Sequence, residues 1–166
     1  MYKGIAGSEG IGIGKVVIIE EHEINIENKK VTDTDNEIKR LQDAIEKFVE
    51  ITNQMAEKMD VTVGKKDADI LRGHIQMLQD PMIEEQISTL LVAEKITAEM
   101  AVDQVLEQTA EMFAQIPDEL LQQRATDFRD IKTRMIKILL GIEEVDISQV
   151  PANTVLVARD LTPSMT

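Results

Sequence analysis

The sequence predicts a mainly α-helical α+β protein, in which a helical bundle is inserted into a small unit that contains a sheet. Five glycines break the first 14 residues, and the β-branched apolar run at residues 16–19 then has the composition of a strand. Between residues 32 and 141, apolar side chains recur every three or four positions, which is the period of an amphipathic helix. Short segments return after residue 143, so we expect three parts: 1–31, 32–141 and 142–166.

Two further short segments have strand patterns. Ile24 and Ile26 alternate with polar residues, as the residues of a half-buried strand do. Residues 155–158 are apolar and follow a turn-forming Pro-Ala-Asn sequence, so we expect a buried strand there. These segments would flank the helical part in the order sheet, helices, sheet.

The helical part has clear boundary signals, which predict a four-helix bundle with a kinked second helix. Thr34 and Glu37 have the spacing of a capping box, and Gly64 ends the helix that they begin. The second helix starts near Asp67 and is interrupted at residues 80–81, where an aspartate cap followed by proline starts a helix again. This segment is either one kinked helix or two short ones.

The last two helices have signals of the same kind. Thr97 has the position of an N-cap for the third helix. Pro117 is expected to open the last helix, and Gly141 to end it in a left-handed conformation. The apolar stripes of these helices are expected to meet in one core.

Composition excludes several classes of function. The chain carries 31 acidic and 18 basic residues, for a net charge of -13, and such a surface repels nucleic acid. Aromatic residues make up 2% of the chain, so stacking platforms for bases are not expected either. A basic protein is the complementary partner, and the alternative is that acidity only keeps the chain soluble. Without cysteines, a signal peptide or a long apolar run, we expect a cytoplasmic protein with no membrane contact.

Motifs that carry chemistry are scarce. The glycine cluster before Lys15 has neither the spacing of a dinucleotide fingerprint nor that of a phosphate-binding loop. The two histidines, His22 and His74, have no companion at metal-ligand spacing, so we expect no metal site. His74 is either an ordinary helix-surface histidine or part of a docking patch. Its neighbours Gly73 and Met77 favour docking, since methionine adapts to a partner and glycine permits close approach.

Four sequence runs carry a resemblance to a known family. They read Gly-Ile-Ala-Gly-Ser-Glu-Gly-Ile at 4–11, Gly-His-Ile-Gln-Met-Leu-Gln-Asp-Pro at 73–81, Arg-Ala-Thr-Asp-Phe-Arg-Asp-Ile at 124–131 and Val-Ala-Arg-Asp-Leu-Thr-Pro-Ser at 157–164. In this order and spacing they resemble enzyme I, the phosphoenolpyruvate-protein phosphotransferase of the bacterial sugar phosphotransferase system. The resemblance extends over essentially the whole chain.

The resemblance implies a fold and an activity. Members of the family take phosphate from phosphoenolpyruvate onto a histidine and pass it to the small carrier HPr for sugar uptake. Their amino-terminal half inserts a helical HPr-binding domain into an α/β phosphohistidine domain, to which residues 32–141 and the two flanks, 1–31 and 142–166, would correspond. Their carboxy-terminal half is a barrel that binds phosphoenolpyruvate and Mg²⁺ and forms a homodimer.

The chain departs from the family at the phosphohistidine. In the family a G-G-x-T-S-H motif follows the D-L-T-P-S run, whereas this sequence ends at Thr166 without that motif. We therefore expect a truncated α/β domain and a fragment that binds HPr, with no catalytic residue and no cofactor of its own. Thr166 corresponds to a family threonine that supports the phosphohistidine imidazole.

The resemblance also assigns the residues that would contact HPr. Carried over position by position, they are His74, Met77, Leu78, Asp80, Ile83, Phe113, Ile116, Leu121, Arg124 and Asp127. The alternative for Leu78, Ile83 and Leu121 is that they are core residues of the bundle. Lys65 and Lys66 stand where the family often has acids, which leaves the charge match with a basic partner open at that edge.

Two other functions stay open. One is a paralogue built on the same modules, such as the nitrogen-branch or multiphosphoryl version, and the other is a helical adaptor without enzymatic activity. The start of the chain at the first strand favours the sugar enzyme, since those paralogues typically place further domains upstream. Binding to HPr and to its nitrogen-branch counterpart would distinguish the two branches.

Overall fold

The computed structural model describes residues 10–19, 24–142 and 150–158, and the chain divides into two compact units. One unit consists of residues 1–23 and 144–166, and the other consists of residues 24–143. The second unit carries the helices, so the predicted mainly α fold with a small sheet is confirmed. The assignment of the two ends of the chain to an α/β phosphohistidine domain stays a prediction.

The first unit contains two parallel strands, β1 (Lys15–Ile18) and β2 (Thr154–Val157). Asn153 precedes β2 with a left-handed φ of 63°, and its carbonyl approaches Gly14 so closely that a Cβ atom there would collide with it. Both strands that the sequence predicted at these places are present, each beginning one residue earlier than expected. β2 is half-buried rather than buried.

The second unit is built of five α-helices. They are α1 (Thr34–Thr62), α2 (Lys65–Leu78), α3 (Pro81–Glu94), α4 (Ala98–Ala114) and α5 (Glu119–Leu140). α2 and α3 together form the interrupted second member of the predicted bundle. At the break, the Asp80 carboxylate accepts a hydrogen bond from the N–H of Met82 at 2.8 Å, and proline takes the first helical position as predicted.

The capping box predicted at Thr34 is wrong, because the N-cap of α1 is Asp33. The Asp33 carboxylate accepts a hydrogen bond from the N–H of Asn36 at 3.0 Å, the role expected of the Thr34 hydroxyl. Glu37 is buried, and its carboxylate accepts a hydrogen bond from the N–H of Ala98 at 2.8 Å. A side chain predicted to act within its own helix thus caps the N-terminus of α4.

Two other local predictions are wrong, and one is confirmed. Pro117 does not open α5, because Asp118 is the N-cap and accepts hydrogen bonds from two N–H groups of the first turn at 2.9 and 3.1 Å. Ile24 and Ile26 lie in irregular chain, and their side chains pack against the helical core, which explains their alternation without a strand. Gly141 follows α5 with a left-handed φ of 68°, as expected.

One hydrophobic cluster connects all five helices, and its fully buried members include Phe48, Leu78, Leu91, Leu106 and Ile131. A second, smaller cluster packs α1 against α2. It consists of Ala56, Ala68 and Leu71, with Met55 and Met59 beside them. The apolar stripes predicted from the sequence therefore do meet in the interior. The smaller cluster is a separate apolar contact between the end of α1 and the start of α2.

A buried guanidinium lies between α5 and α1. Arg134 is 4% exposed, and its guanidinium carbon lies over the Phe48 ring, 4.4 Å from the centroid. Its Nη2 donates to the Thr52 hydroxyl at 2.6 Å, and its Nη1 lies 3.9 Å from the Asp130 carboxylate. A charge taken out of water at this depth needs close partners, and α5 and α1 supply them together.

Glu37 holds a second polar network. Its carboxylate accepts two hydrogen bonds from Arg40, at 2.7 and 2.9 Å. Arg40 donates in turn to Glu99 at 3.3 Å and to the carbonyl of Leu139 at 3.2 Å. Burial would lower the pKa of Arg40, but the hydrogen bond to Glu37 and the charges of both glutamates outweigh burial and raise it. The network ties the beginnings of α1 and α4 to the end of α5.

Replacing Glu37 by alanine should lower the free energy of unfolding by about 2 kcal/mol, because Arg40 and the N-terminus of α4 both lose their acceptor. Glu46→Ala is the matched control, since Glu46 is exposed on the same helix and should change stability by less than about 0.5 kcal/mol. Urea unfolding followed by far-UV circular dichroism measures both variants. Equal stabilities would contradict a structural role for this network.

Candidate partner-docking surface

The ten residues assigned to partner contact differ widely in exposure. Three are exposed, namely Asp80, Ile116 and Arg124. Four are half-buried, namely Met77, Phe113, Leu121 and Asp127. The remaining three are buried, namely His74, Leu78 and Ile83. The exposed and half-buried residues come from α2, α4, α5 and the segments that join helices.

Arg124 connects the residues of α2 and α5 on this surface. Its Nη1 lies 3.4 Å from the sulfur of Met77 and 3.9 Å from the carboxylate of Asp127. On the α4 side, the ring of Phe113 stacks on that of Phe128, with centroids 5.5 Å apart and an interplanar angle of 22°. We define the docking face as Met77, Phe113, Ile116, Leu121 and Arg124.

The structure does not support direct partner contact by Leu78, Ile83 or His74. Leu78 is fully buried and Ile83 is 8% exposed, and both belong to the main hydrophobic cluster, which was the alternative for them. His74 is 5% exposed, so it is not a surface histidine. Its ring lies between Asp127 and Asp130, with nitrogen–oxygen distances of 3.4 and 3.5 Å.

Asp80 has a structural role that the sequence also indicated. Its carboxylate caps α3, so replacing it by a lysine would remove the cap together with the charge. Asparagine caps helices as well as aspartate does and carries no charge. Asp80→Asn therefore separates the contribution of charge to docking from the contribution of the cap to folding.

Several exposed apolar residues next to these positions were missed. Ile70 on α2 is 54% exposed, Met112 on α4 is 59% exposed and Leu120 on α5 is 72% exposed. Ile70 and Met77 lie seven residues apart, with Gly73 between them, so one stripe of α2 carries all three. The helical period could have indicated the exposure of Ile70. Leu71, His74 and Leu78 are spaced by three and four residues and form the buried stripe of α2, and Ile70 lies outside this spacing.

The start of α2 is mixed in charge. Lys65 and Lys66 are exposed, and Asp69 accepts a hydrogen bond from Arg72 at 2.9 Å. Arg72 also pairs with Asp60 of α1, and the hydrogen bonds to Asp60 and Asp69 raise the pKa of Arg72. The lysines thus add positive charge to an edge where a basic partner would prefer acids, and their effect on docking stays open.

Ion pairs join α4 to α5. Glu107 accepts hydrogen bonds from Lys132 at 2.7 Å and from Arg129 at 2.9 Å. The bond from Lys132 lowers the pKa of Glu107, against an opposing effect of burial. Burial would lower the pKa of Lys132, but its hydrogen bonds to Glu107 and Asp103 outweigh burial and raise it. Both shifts favour the charged pair.

The described part of the chain offers no site for a metal ion. Within residues 10–19, 24–142 and 150–158, no group of three or more His, Asp or Glu side chains is arranged to hold one. The helices of this part are also too short or too polar to cross a membrane. Thr166 and His22 lie outside the described residues, so the role assigned to Thr166 stays a prediction.

Comparison with known proteins identifies the family. Residues 3–124 match the model of the family described as PEP-utilising enzyme, N-terminal. The chain belongs to this family. Phosphoenolpyruvate-protein phosphotransferase of Haemophilus influenzae is 37% identical over 168 residues, which cover 100% of this chain and 29% of the relative. The chain thus spans about 29% of the length of that relative.

Two solved structures share the fold of this chain. A solution NMR structure of Enzyme I is 35% identical, covers 99% of this chain and 67% of its own, and superposes with a TM-score of 0.89. The N-terminal domain of a nitrogen Enzyme 1 is 24% identical, covers 93% of this chain and 63% of its own, and has a TM-score of 0.74. The second likeness concerns the fold alone.

The stability of the chain should depend on Glu107 at acid pH. Because folding lowers the pKa of Glu107 below its ordinary value of 4.5, its contribution is present above that pH and is lost as pH falls through the folded pKa. Glu107→Gln should therefore cost about 1 kcal/mol at pH 7 and progressively less below about pH 4.

Glu111→Gln is the control for this pH dependence, because Glu111 is exposed one turn further along α4. Thermal unfolding at a series of pH values, compared between the two variants and the unchanged chain, measures the effect. A Glu107→Gln deficit that stays constant down to about pH 2 would contradict the assignment.

Proposed function

We propose that this chain is the HPr-docking part of a phosphoenolpyruvate-protein phosphotransferase, which passes phosphate from phosphoenolpyruvate through a histidine to HPr for sugar uptake. The single observation that carries the proposal is the docking face, where the exposed Arg124 of α5 lies against Met77 of α2 and Phe113 of α4 stacks on Phe128 of α5. Apolar centres with polar edges are typical of protein interfaces. The name of the relatives supports the reaction.

The role of this chain in the reaction is to hold the carrier, not to transfer phosphate. The 166-residue sequence contains no G-G-x-T-S-H run, and His74 is buried between two carboxylates that would repel an incoming phosphoryl group. The exposed apolar side chains would be desolvated by the carrier, while the net charge of -13 attracts its basic face. Arg124 would hydrogen bond to an acceptor of the carrier.

Mg²⁺, homodimer formation and the cytoplasmic location are proposals of the same kind. The described residues do not form a Mg²⁺ site, so we assign the ion and the dimer contacts to the part of the relatives that this chain does not span. A nitrogen-branch enzyme or other paralogue is the alternative identity of the protein. A helical adaptor without enzymatic activity is the remaining alternative.

The chain should bind HPr with a Kd of roughly a micromolar, about -8 kcal/mol, because a carrier has to leave quickly after each transfer. Titration of ¹⁵N-labelled chain with HPr should shift amide signals of α2, the end of α4 and the start of α5. The nitrogen-branch carrier should bind at least tenfold more weakly. Phosphate from labelled phosphoenolpyruvate with Mg²⁺ should reach neither this chain nor HPr.

Matched variants locate the binding surface. Ile70→Ser and Ile116→Ser should each weaken HPr binding about tenfold with little loss of stability, since both side chains are already solvent-exposed. Val92→Ser is the control, because Val92 is 45% exposed but lies about 16 Å along α3 from the break. Equal effects of all three variants, or preference for the nitrogen-branch carrier, would argue against the proposal.

Asp80→Asn should weaken HPr binding a few-fold and should make it less sensitive to salt, because an exposed negative charge is lost while the cap of α3 is kept. Asp80→Ala should in addition lower the free energy of unfolding by about 1 kcal/mol. Calorimetric titration at low and high salt, with urea unfolding of both variants, measures the two effects. Unchanged binding of Asp80→Asn would remove Asp80 from the interface.

A further inference from the structure

The imidazole of His74 is enclosed on α2 in a way that restricts its chemistry. Both ring nitrogens are buried, and neither makes a hydrogen bond of acceptable geometry. Nε2 lies 3.4 Å from Oδ1 of Asp127, and Nδ1 lies 3.5 Å from Oδ2 of Asp130. Both carboxylates belong to α5 and lie one helical turn apart, so the ring stands between them.

Each ring nitrogen therefore faces a group that only accepts. An ionised carboxylate has no proton to donate, while a neutral imidazole has one N–H donor and one bare nitrogen that is itself an acceptor. In the neutral ring, one of the two contacts would set lone pair against lone pair. The imidazolium has two N–H donors and a positive charge, so it is the form in which both contacts are attractive.

The other charged groups around the ring fit this arrangement. On α5, Arg124 lies 3.9 Å from Asp127 and Arg134 lies 3.9 Å from Asp130, so each carboxylate also has a guanidinium nearby. On the α1 side, α2 packs through the apolar cluster of Ala56, Ala68 and Leu71. The nearest ion pair between α1 and α2 joins Arg72 to Asp60. Toward α3, α2 ends at Leu78, which is buried and apolar.

We propose that His74 is a positioning residue of the docking face, which in its doubly protonated form holds α2 against α5 through Asp127 and Asp130. Met77 follows His74 by three residues on α2, and Arg124 precedes Asp127 by three residues on α5. The contacts of His74 with Asp127 and Asp130, which we call the bridge, thus lie about one helical turn from the Met77–Arg124 contact. The part of the inference that concerns binding rests on the proposed function, and the part that concerns α2 and α5 does not.

The sign of the pH dependence follows from the donor count. The bridge is complete while the ring carries both protons, and it is lost as pH rises and the ring gives up one of them. α2 should then loosen from α5, and the docking face should lose its shape at the same time. Asp130→Asn should remove this dependence, because an amide can donate to the bare nitrogen of a neutral ring.

The first test needs no partner. His22→Gln leaves His74 as the single imidazole of the chain. In this background, the ¹⁵N signals of the ring should show two protonated nitrogens at pH 6. As pH is raised to 8.5, loss of a ring proton should coincide with about tenfold faster amide exchange in α2, after correction for the intrinsic rates. Exchange in α4 should not change, and Asp130→Asn should flatten the response of α2.

A ring that is neutral at pH 6 in the folded chain would overturn the inference. So would exchange in α2 that stays constant while the ring titrates, or an Asp130→Asn variant that keeps the full pH response. Asp130 is partly exposed, so this variant is expected to fold, and its circular dichroism spectrum should match that of the unchanged chain.

The second test concerns docking. HPr binding should weaken about tenfold between pH 6 and pH 8.5 for the unchanged chain and clearly less for Asp130→Asn. Titration of groups on HPr itself affects both chains equally and cancels in the comparison. Identical pH profiles would overturn the positioning role. Absence of HPr binding at every pH would instead refute the proposed function, while the ring signals and amide exchange would still decide the state of His74.

Discussion

The helical unit depends on the charge that α5 carries into its interior. Arg134 is buried against the Phe48 ring and the Thr52 hydroxyl of α1, and such a charge is tolerated only with close polar and ionic partners. Asp130 lies one turn earlier on the same helix, and its Oδ2 atom lies 3.9 Å from Arg134 and 3.5 Å from His74. The carboxylate that lies near the buried guanidinium is therefore also the one that α2 meets with His74.

The docking face is the exposed end of this buried arrangement. Arg124, Asp127, Asp130 and Arg134 follow one another on α5 at intervals of three or four residues, so they share one side of the helix. The row begins with the exposed Arg124 at the surface and ends with the buried Arg134. Because exposed and buried members lie on one helix, packing in the interior also positions the exposed side chains of the candidate docking face.

Local signals predicted much of the fold. The Asp80–Pro81 break and the left-handed Gly141 were read correctly, because each depends on a few neighbouring residues. The capping box failed because Glu37 has a better partner 61 residues away, at the start of α4. Ile24 and Ile26 were misread for the same reason, since a core built from other segments buries them. Periodicity predicts that a side chain is buried, but not what buries it.

The burial of the candidate contact residues was predicted less well than the fold, and the difference has a physical cause. The resemblance assigned residues by their position in the sequence, which does not distinguish the outer side of a helix from its inner side. His74, Leu78 and Ile83 lie within the same short stretch as Met77 and Asp80, yet only the latter two reach solvent. A protein that must release its partner needs a small exposed surface and a stiff support beneath it. The segment around the helix break has both exposed and buried residues, and they alternate along the sequence. A sequence motif contains both kinds and does not indicate which of them are exposed.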